Sequence, residues 1–221
     1  MWAVLPAKNF TDAKQRLGGV LNAEERTALF AAMFEDVLST LVRVPGLDGV
    51  LVVTRDPSAA AIAATHGAEV LEEPENRGQT AAVQAAADWL TAKGVDGMVA
   101  VPGDVPLVPS EELESVLAAH GTAPAMTIVP AQDERGSNCI ACSPPGLIPF
   151  RFGNDSFKPH LQESADRGVV PKILPLPGLG LDIDRPDDLA ELMAAPGDSR
   201  AQRWLRDNRI AERLAAGDSA A

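Results

Sequence analysis

Over roughly its first 120 residues the chain alternates short apolar runs with longer helical patterns, and this alternation restricts the fold more than any other feature. Residues 2–5 read as a first strand stopped by Pro6, residues 49–54 as a second, 68–71 as a third and 97–101 as a fourth. Between them, Asn22 opens a helix with Glu25 as its capping-box partner. Leu29, Met33, Val37, Leu41 and Val44 recur in it at helical spacing, and Pro45-Gly46 stops it. Asp56-Pro57-Ser58 opens an alanine-rich helix ending near Gly67, and residues 79–93 form another. Ser110 caps a fourth helix, with Glu111 and Glu112 in its first turn. Units of this length call for parallel strands joined by crossovers. The expected fold class is therefore α/β, with a mostly parallel central sheet and helices on both faces.

The second half has a different character. Residues 125–130 and 138–143 look like strands joined by a polar turn over 132–137. A helix is expected over 158–167, then the apolar stretch 169–176, a short strand over 181–184, and two helices, 185–193 and 199–214. These read as additions to the first sheet, so residues 1–221 are expected to form one domain whose last residues, 215–221, fray.

Composition narrows the function. With 46% apolar residues the chain can bury a full core, and its net charge of −12 argues against nonspecific binding to nucleic acid or anionic membranes. Apolar stretches stop well short of the roughly 20 residues of a spanning helix. The N-terminus lacks a basic segment followed by a long apolar one, so a cytoplasmic protein is expected. Cys139 and Cys142 lie three apart on a strand, pointing to opposite faces, and read as two buried or half-buried thiols without a metal or redox role.

Four stretches carry chemistry. In Val101-Pro102-Gly103-Asp104 an apolar run ends in a turn, which sets the Asp104 carboxylate at the carboxyl end of a central strand, where ligands bind in open α/β sheets. Asp182 and Asp184 are two apart, so on an extended segment both face one way, with Leu181 and Ile183 turned into the core. Together with Asp104 they make an oxygen-rich set suited to Mg²⁺ or Mn²⁺. The alternative is that Asp182 and Asp184 only end a strand and cap the helix that follows. The loop after the first strand carries Lys8, Lys14 and Arg16 against Asp12, a basic cluster on an acidic chain, without a glycine-rich phosphate fingerprint. Further on, Asn154, Asp155 and Ser156 are capping residue types ahead of a helix, and Gly153 allows close backbone approach. An anion could rest there, with Arg135, Arg151 or Lys158 nearby. His160 reads as a surface or partly packed residue.

Pro6-Ala7-Lys8 with Ala13-Lys14-Gln15-Arg16-Leu17 resembles the opening of the guanylyltransferases of coenzyme F420 biosynthesis, the 2-phospho-L-lactate guanylyltransferase family with its phosphoenolpyruvate- and 3-phosphoglycerate-using members. Pro102-Gly103-Asp104-Val105-Pro106, residues 151–157 and residues 181–189 resemble further motifs of that family, in the same order. The resemblance implies a nucleotide-diphospho-sugar-transferase-like (Rossmann-like) fold. It also implies a metal-dependent enzyme that moves GMP from GTP to a small phosphoacid. It casts Lys8, Lys14 and Asp104 as catalytic and places nucleotide on Lys8, Lys14, Arg16, Gly78, Gln79 and Thr80. The acceptor falls on Ser137 or Asn138 with Gly153 and Ser156, and Mg²⁺ (or Mn²⁺) on Asp104, Asp182 and Asp184. Residues 1–122 become the nucleotide-binding half, 123–198 the acceptor and metal half, and 199–221 a C-terminal helix and tail. The expected partners are GTP and a phosphoacid, with no nucleic acid and no membrane; a homodimer is left open. The competing readings are a related nucleotidyltransferase with another nucleotide or a sugar-phosphate acceptor, a glycosyltransferase of similar fold, and a nucleotide-binding protein without turnover.

Overall fold

A computed structural model describes residues 1–75, 77–153 and 155–218, with side chains described through Ala215. Among the described residues, seven strands form one sheet in the order β3-β2-β1-β4-β6-β5-β7, with β1 Trp2–Ala7, β2 Gly49–Thr54, β3 Glu69–Glu72, β4 Met98–Ala100, β5 Ala125–Pro130, β6 Ser137–Ser143 and β7 Lys172–Ile173. The pairs β1–β2, β1–β4, β2–β3 and β5–β7 run parallel, and β6 runs antiparallel to both β4 and β5. The second half thus extends the first sheet, with the β5–β6 hairpin folding its later strand back against β4.

Two side-chain clusters, one on each face, account for the apolar runs. Ala3, Leu5, Val52, Val99 and Cys139 pack on one face; Val4, Leu51, Met98, Ile140 and Cys142 pack on the other. This is the two-residue alternation of strands buried on both sides, and it sends the two free cysteines to opposite layers. Burial raises the Cys139 thiol well above its ordinary range and pushes that of Cys142 up to about 12, so neither is a thiolate at neutral pH.

The first layer holds α1 (Ala23–Leu41), α2 (Pro57–Thr65), α4 (Ser110–Ala119), the short α6 (Pro177–Gly180), α7 (Pro186–Ala194) and α8 (Arg200–Asp207); the second holds α3 (Gln79–Ala92) and α5 (Phe157–Ala165). Asn22 caps α1 through the expected capping box with Glu25, and Asp56 caps α2. No helix among the described residues is long and apolar enough to cross a membrane.

Several expectations are corrected. Pro6 does not stop β1, which continues to Ala7 with Pro6 opposite Val53 of β2. The bonds from Trp2 N–H to Gly97 and from Val101 N–H to Val4 show that even-numbered residues of β1 face β4. Since β4 pairs only as far as Val4, the missing N–H of Pro6 points where no strand needs it. Ser110 is the first residue of α4, and Pro109 holds the cap position. The C-terminal pair of helices is three, because Arg209 adopts φ +53 and separates α8 from α9 (Ile210–Asp218). Residues 181–184 are extended but join no sheet. The expected fraying tail lies partly outside the described residues.

Candidate active site

The loop after β1 is held by its apolar residues, which leaves its cations free to serve the site. Phe10 and Leu17 are buried in two single 3₁₀ turns, Phe10–Asp12 and Gln15–Leu17. The Phe10 ring meets Phe30 edge-on at 5.2 Å and its N–H donates to Asp56 Oδ2 at 2.8 Å. Between the turns Lys14 takes φ +55, and its side chain is 5% exposed. Its Nζ donates to Asp104 Oδ2 at 2.6 Å and to Asp184 Oδ1 at 2.8 Å. Burial works to lower the Lys14 pKa, but the charges and hydrogen bonds of Asp104 and Asp184 hold it above the ordinary lysine value, so the ammonium stays charged. Arg16 Nη1 reaches Asp184 Oδ2 at 3.0 Å.

The acids converge from two segments nearly 80 residues apart. Asp104 follows Gly103, where a β-carbon would stand 3.2 Å from the Phe34 ring, so glycine lets the chain run close over α1. The Asp104 carbonyl accepts the Ile183 N–H at 3.0 Å. That one bond replaces the expected strand, because residues 181–184 lie beyond the end of β4 and have no ladder to join. The side-chain alternation holds all the same: Leu181 and Ile183 are buried, while Asp182 and Asp184 line the cavity. Asp184 does not cap α7. Asp188 does, its Oδ2 accepting the N–H groups of Asp184 at 2.8 Å and Arg185 at 2.7 Å.

Environment separates the two carboxyls. Burial, then the charge of Asp104, raises the pKa of Asp182. For Asp184 burial acts in the same direction, but the charge and hydrogen bond of Lys14, with Arg16, bring it below the usual range. Asp104 Oδ1 is buried and has no hydrogen-bond partner among the described residues. No three acidic, histidine or cysteine side chains form a ready-made metal cage among them either. Lys14 Nζ supplies the positive charge between Asp104 and Asp184.

Two cavities flank this acid–lysine cluster. The smaller, of about 270 Å³, is lined by Lys8, Lys14, Phe30, Gly78 and Gln79. Gly78 sits before α3 with φ +88 and open space where a side chain would go, so the backbone angle is what selects glycine. Thr80 lines neither cavity; its Oγ1 donates to the Phe152 carbonyl at 3.1 Å, tying α3 to the loop before α5. Arg16 lines the larger cavity only.

The larger cavity, of about 560 Å³, is lined by Ser137, Asn138, Gly153 and Ser156. Gly153 adopts φ +142 with nothing near a β-carbon position. Ser156 holds the N-cap position of α5, but in helical geometry and without a side-chain capping bond; its Oγ accepts the Ser137 N–H at 3.0 Å instead. Asp155 is paired with Arg135 at 2.6 Å, and Asn154 lies outside the described residues. Arg151 pairs with Glu163 at 2.7 Å. Asn138 Nδ2 donates to the Gly180 carbonyl at 3.0 Å and to Asp182 Oδ1 at 3.1 Å, so it orients an acid as well as lining the cleft. His160, read as a surface or partly packed residue, is fully buried. Its signal was a stripe: Ser156, His160 and Ser164 recur every fourth residue, and all are buried on one face of α5.

A mostly parallel α/β sheet with acids gathered at the carboxyl end of its central strand, between two cavities, defines a nucleotidyltransferase-type protein. A protein described as a nucleotide-diphospho-sugar transferase from Desulfovibrio desulfuricans G20 shares this fold with a TM-score of 0.77 at 18% identity, over 96% of this chain and 97% of its own. The sequence is more specific. Residues 1–219 match the guanylyl transferase CofC-like family, and the chain belongs to it. Relatives include a phosphoenolpyruvate guanylyltransferase from Rubrobacter xylanophilus, 36% identical over 89% of this chain and 95% of its own. A 3-phospho-D-glycerate guanylyltransferase from Colwellia psychrerythraea is 36% identical over 86% of this chain and 90% of its own. A 2-phospho-L-lactate guanylyltransferase from Methanothermobacter thermautotrophicus is 31% identical over 94% and 91%.

Proposed function

We propose that this guanylyltransferase moves GMP from GTP to the phosphate of a small phosphorylated carboxylic acid, in coenzyme F420 biosynthesis. The acceptor is phosphoenolpyruvate, 3-phospho-D-glycerate or 2-phospho-L-lactate, the acids for which its relatives are named. The observation that carries this reading is that Asp104, Asp184 and Gln79 line both cavities. Nucleotide in the smaller cavity and acceptor in the larger would bring their phosphates together at those residues.

In this reading residues 1–122 supply the nucleotide side and residues 123–198 the acceptor and metal side. Lys8 and Lys14 receive the triphosphate, with Arg16 beside Asp184. Gly78 and Gln79 flank the nucleotide, and Thr80 acts indirectly, by holding the Phe152 loop. Ser137, Asn138, Gly153 and Ser156 seat the acceptor. A phosphate oxygen of the acceptor attacks the α-phosphorus of GTP, the new P–O bond forms, and pyrophosphate leaves with the electrons of the broken bond. The acceptor phosphate is already anionic at neutral pH, so positioning and charge neutralisation suffice.

Asp104, Asp182 and Asp184 suit a hard divalent cation, Mg²⁺ or Mn²⁺. The buried, unpartnered Asp104 Oδ1 supports this, and Asp182, whose pKa is raised by burial and then by the Asp104 charge, adds a second carboxyl to the place. When bound, such an ion supplies charge neutralisation at the phosphates.

The test incubates the protein with GTP and Mg²⁺ and each of the three acids in turn, with ATP and CTP as controls. Pyrophosphate is measured and products are weighed by mass spectrometry. A guanylylated phosphoacid with equimolar pyrophosphate is expected from at least one acid. Its absence with all three would overturn the proposal.

A further inference from the structure

His160 is one of three histidines in the chain. It is fully buried, and its ring contacts Phe152 at 5.0 Å and Phe150 at 6.4 Å between centroids. Both ring nitrogens are engaged. Nε2 lies 2.9 Å from the backbone N–H of Arg151, and Nδ1 lies 2.9 Å from Ser137 Oγ. A backbone N–H can only donate, so Nε2 must present its lone pair. In the neutral ring the proton is then on Nδ1, and the bond runs from Nδ1–H to Ser137 Oγ. Ser137 therefore accepts from His160 and keeps its own hydroxyl proton to give away. Ser156 is in the same position, because its Oγ already accepts the Ser137 N–H. Neither hydroxyl proton has an acceptor among the described residues, and both residues line the 560 Å³ cavity.

We infer that His160 is a positioning residue for the acceptor: it locks Ser137 as a donor beside Ser156, making a two-hydroxyl seat for an anionic group of the phosphoacid. This rests on the proposed reaction and deepens it. Carboxylate and ionised phosphate oxygens only accept hydrogen bonds, so a hydroxyl free to turn its lone pair toward them would bind them less well. Burial, then the Arg151 charge, keeps the ring neutral against the opposing pull of Glu163 and the Ser156 carbonyl, with its pKa pushed down to about 4. The seat is thereby held in one hydrogen-bond direction at neutral pH.

Two substitutions separate the two bonds of the ring. His160→Asn keeps an amide donor near Ser137 and gives up the Arg151 contact; His160→Gln keeps an acceptor for Arg151 and gives up the donor. With His160→Gln the KM for the phosphoacid is expected to rise about tenfold, with the KM for GTP unchanged. His160→Asn should stay near the wild-type KM for both substrates. Equal acceptor KM in the two variants, or a matching rise in the GTP KM, would overturn the inference.

A second measurement needs no variant. Nitrogen-15 NMR of the histidine rings in the wild-type protein should show His160 protonated at Nδ1 and bare at Nε2 at neutral pH. The opposite tautomer would overturn the inference even if both variants failed to fold. Wild-type protein that releases no pyrophosphate would sink the proposed reaction instead, a result separate from the tautomer.

Discussion

Apart from Asp104 and Asp184, which line both, the smaller cavity takes its polar side chains from short stretches next to regular elements, whereas the larger is assembled from pairs of residues distant in sequence. Lys8 and Lys14 follow β1, and Gly78 and Gln79 open α3. In the larger cavity Ser137 needs Ser156 and His160, and Asn138 needs Gly180 and Asp182, up to 44 residues away. Cations and a positive-φ glycine keep their chemistry when considered alone. A hydroxyl or an amide acquires a role only from the partner that fixes which way its hydrogen bond runs.

Asp104 belongs to both cavities, so Asp104→Asn should abolish the contrast between them. Turnover is expected to fall about a thousandfold, measured as pyrophosphate release, with KM for neither substrate selectively changed. Thermal unfolding should show the variant still folded, because the Asp104 side chain, 23% exposed, belongs to an acid cluster at the cavities and not to either apolar core. Near-wild-type turnover would remove Asp104 from the chemistry.

Acid should injure the larger cavity first. His160 has a folded pKa near 4 against an ordinary value of 6.5, so between those values the unfolded chain binds the extra proton. Stability present above the ordinary value is lost as pH falls toward 4, by about 3 kcal/mol for this one buried ring. Denaturant titrations at several pH values should show that loss in the wild type and its absence in His160→Asn. An identical acid limb in both proteins would assign the loss to other groups.

The smaller cavity is probed by Lys14→Ala. Its kcat/KM for GTP should drop roughly thirtyfold, with the acceptor KM held within about twofold. The same variant leaves Asp104 and Asp184 without their shared ammonium, so added Mg²⁺ should raise its melting temperature more than that of the wild type. Equal Mg²⁺ shifts in the two proteins would argue that Lys14 and the cation do not share this place.

How much was legible follows the same division. β2 was read to the residue, because an apolar run between turn signals has one outcome in an α/β alternation. So was the Asn22–Glu25 capping box, which is local. Asp182 and Asp184 were read on the correct side of their segment, although that segment is not a strand: side-chain alternation belongs to any extended chain, whereas a ladder depends on a neighbour being there. Pro6 was misread because whether a strand tolerates proline depends on which edge the missing N–H faces. Ser156 holds the cap position that the sequence suggests, but not with a capping side chain, and His160 reads from the sequence as a surface or partly packed residue. Both readings use residue type alone, and the bonds that decide these two side chains cross to Ser137 on β6.

The insertion of β6 between β4 and β5 has a consequence for the order in which the molecule is made. While the chain emerges from a ribosome, β1 to β4 are complete long before residues 137–143 appear. During that interval the strand leading to Asp104 is a bare edge, able to pair with another nascent chain. Asp182 and Asp184 emerge later still, so an interrupted chain carries the basic loop but lacks two of its three acids. The acid–lysine cluster thus closes late in synthesis, and partial products cannot assemble it.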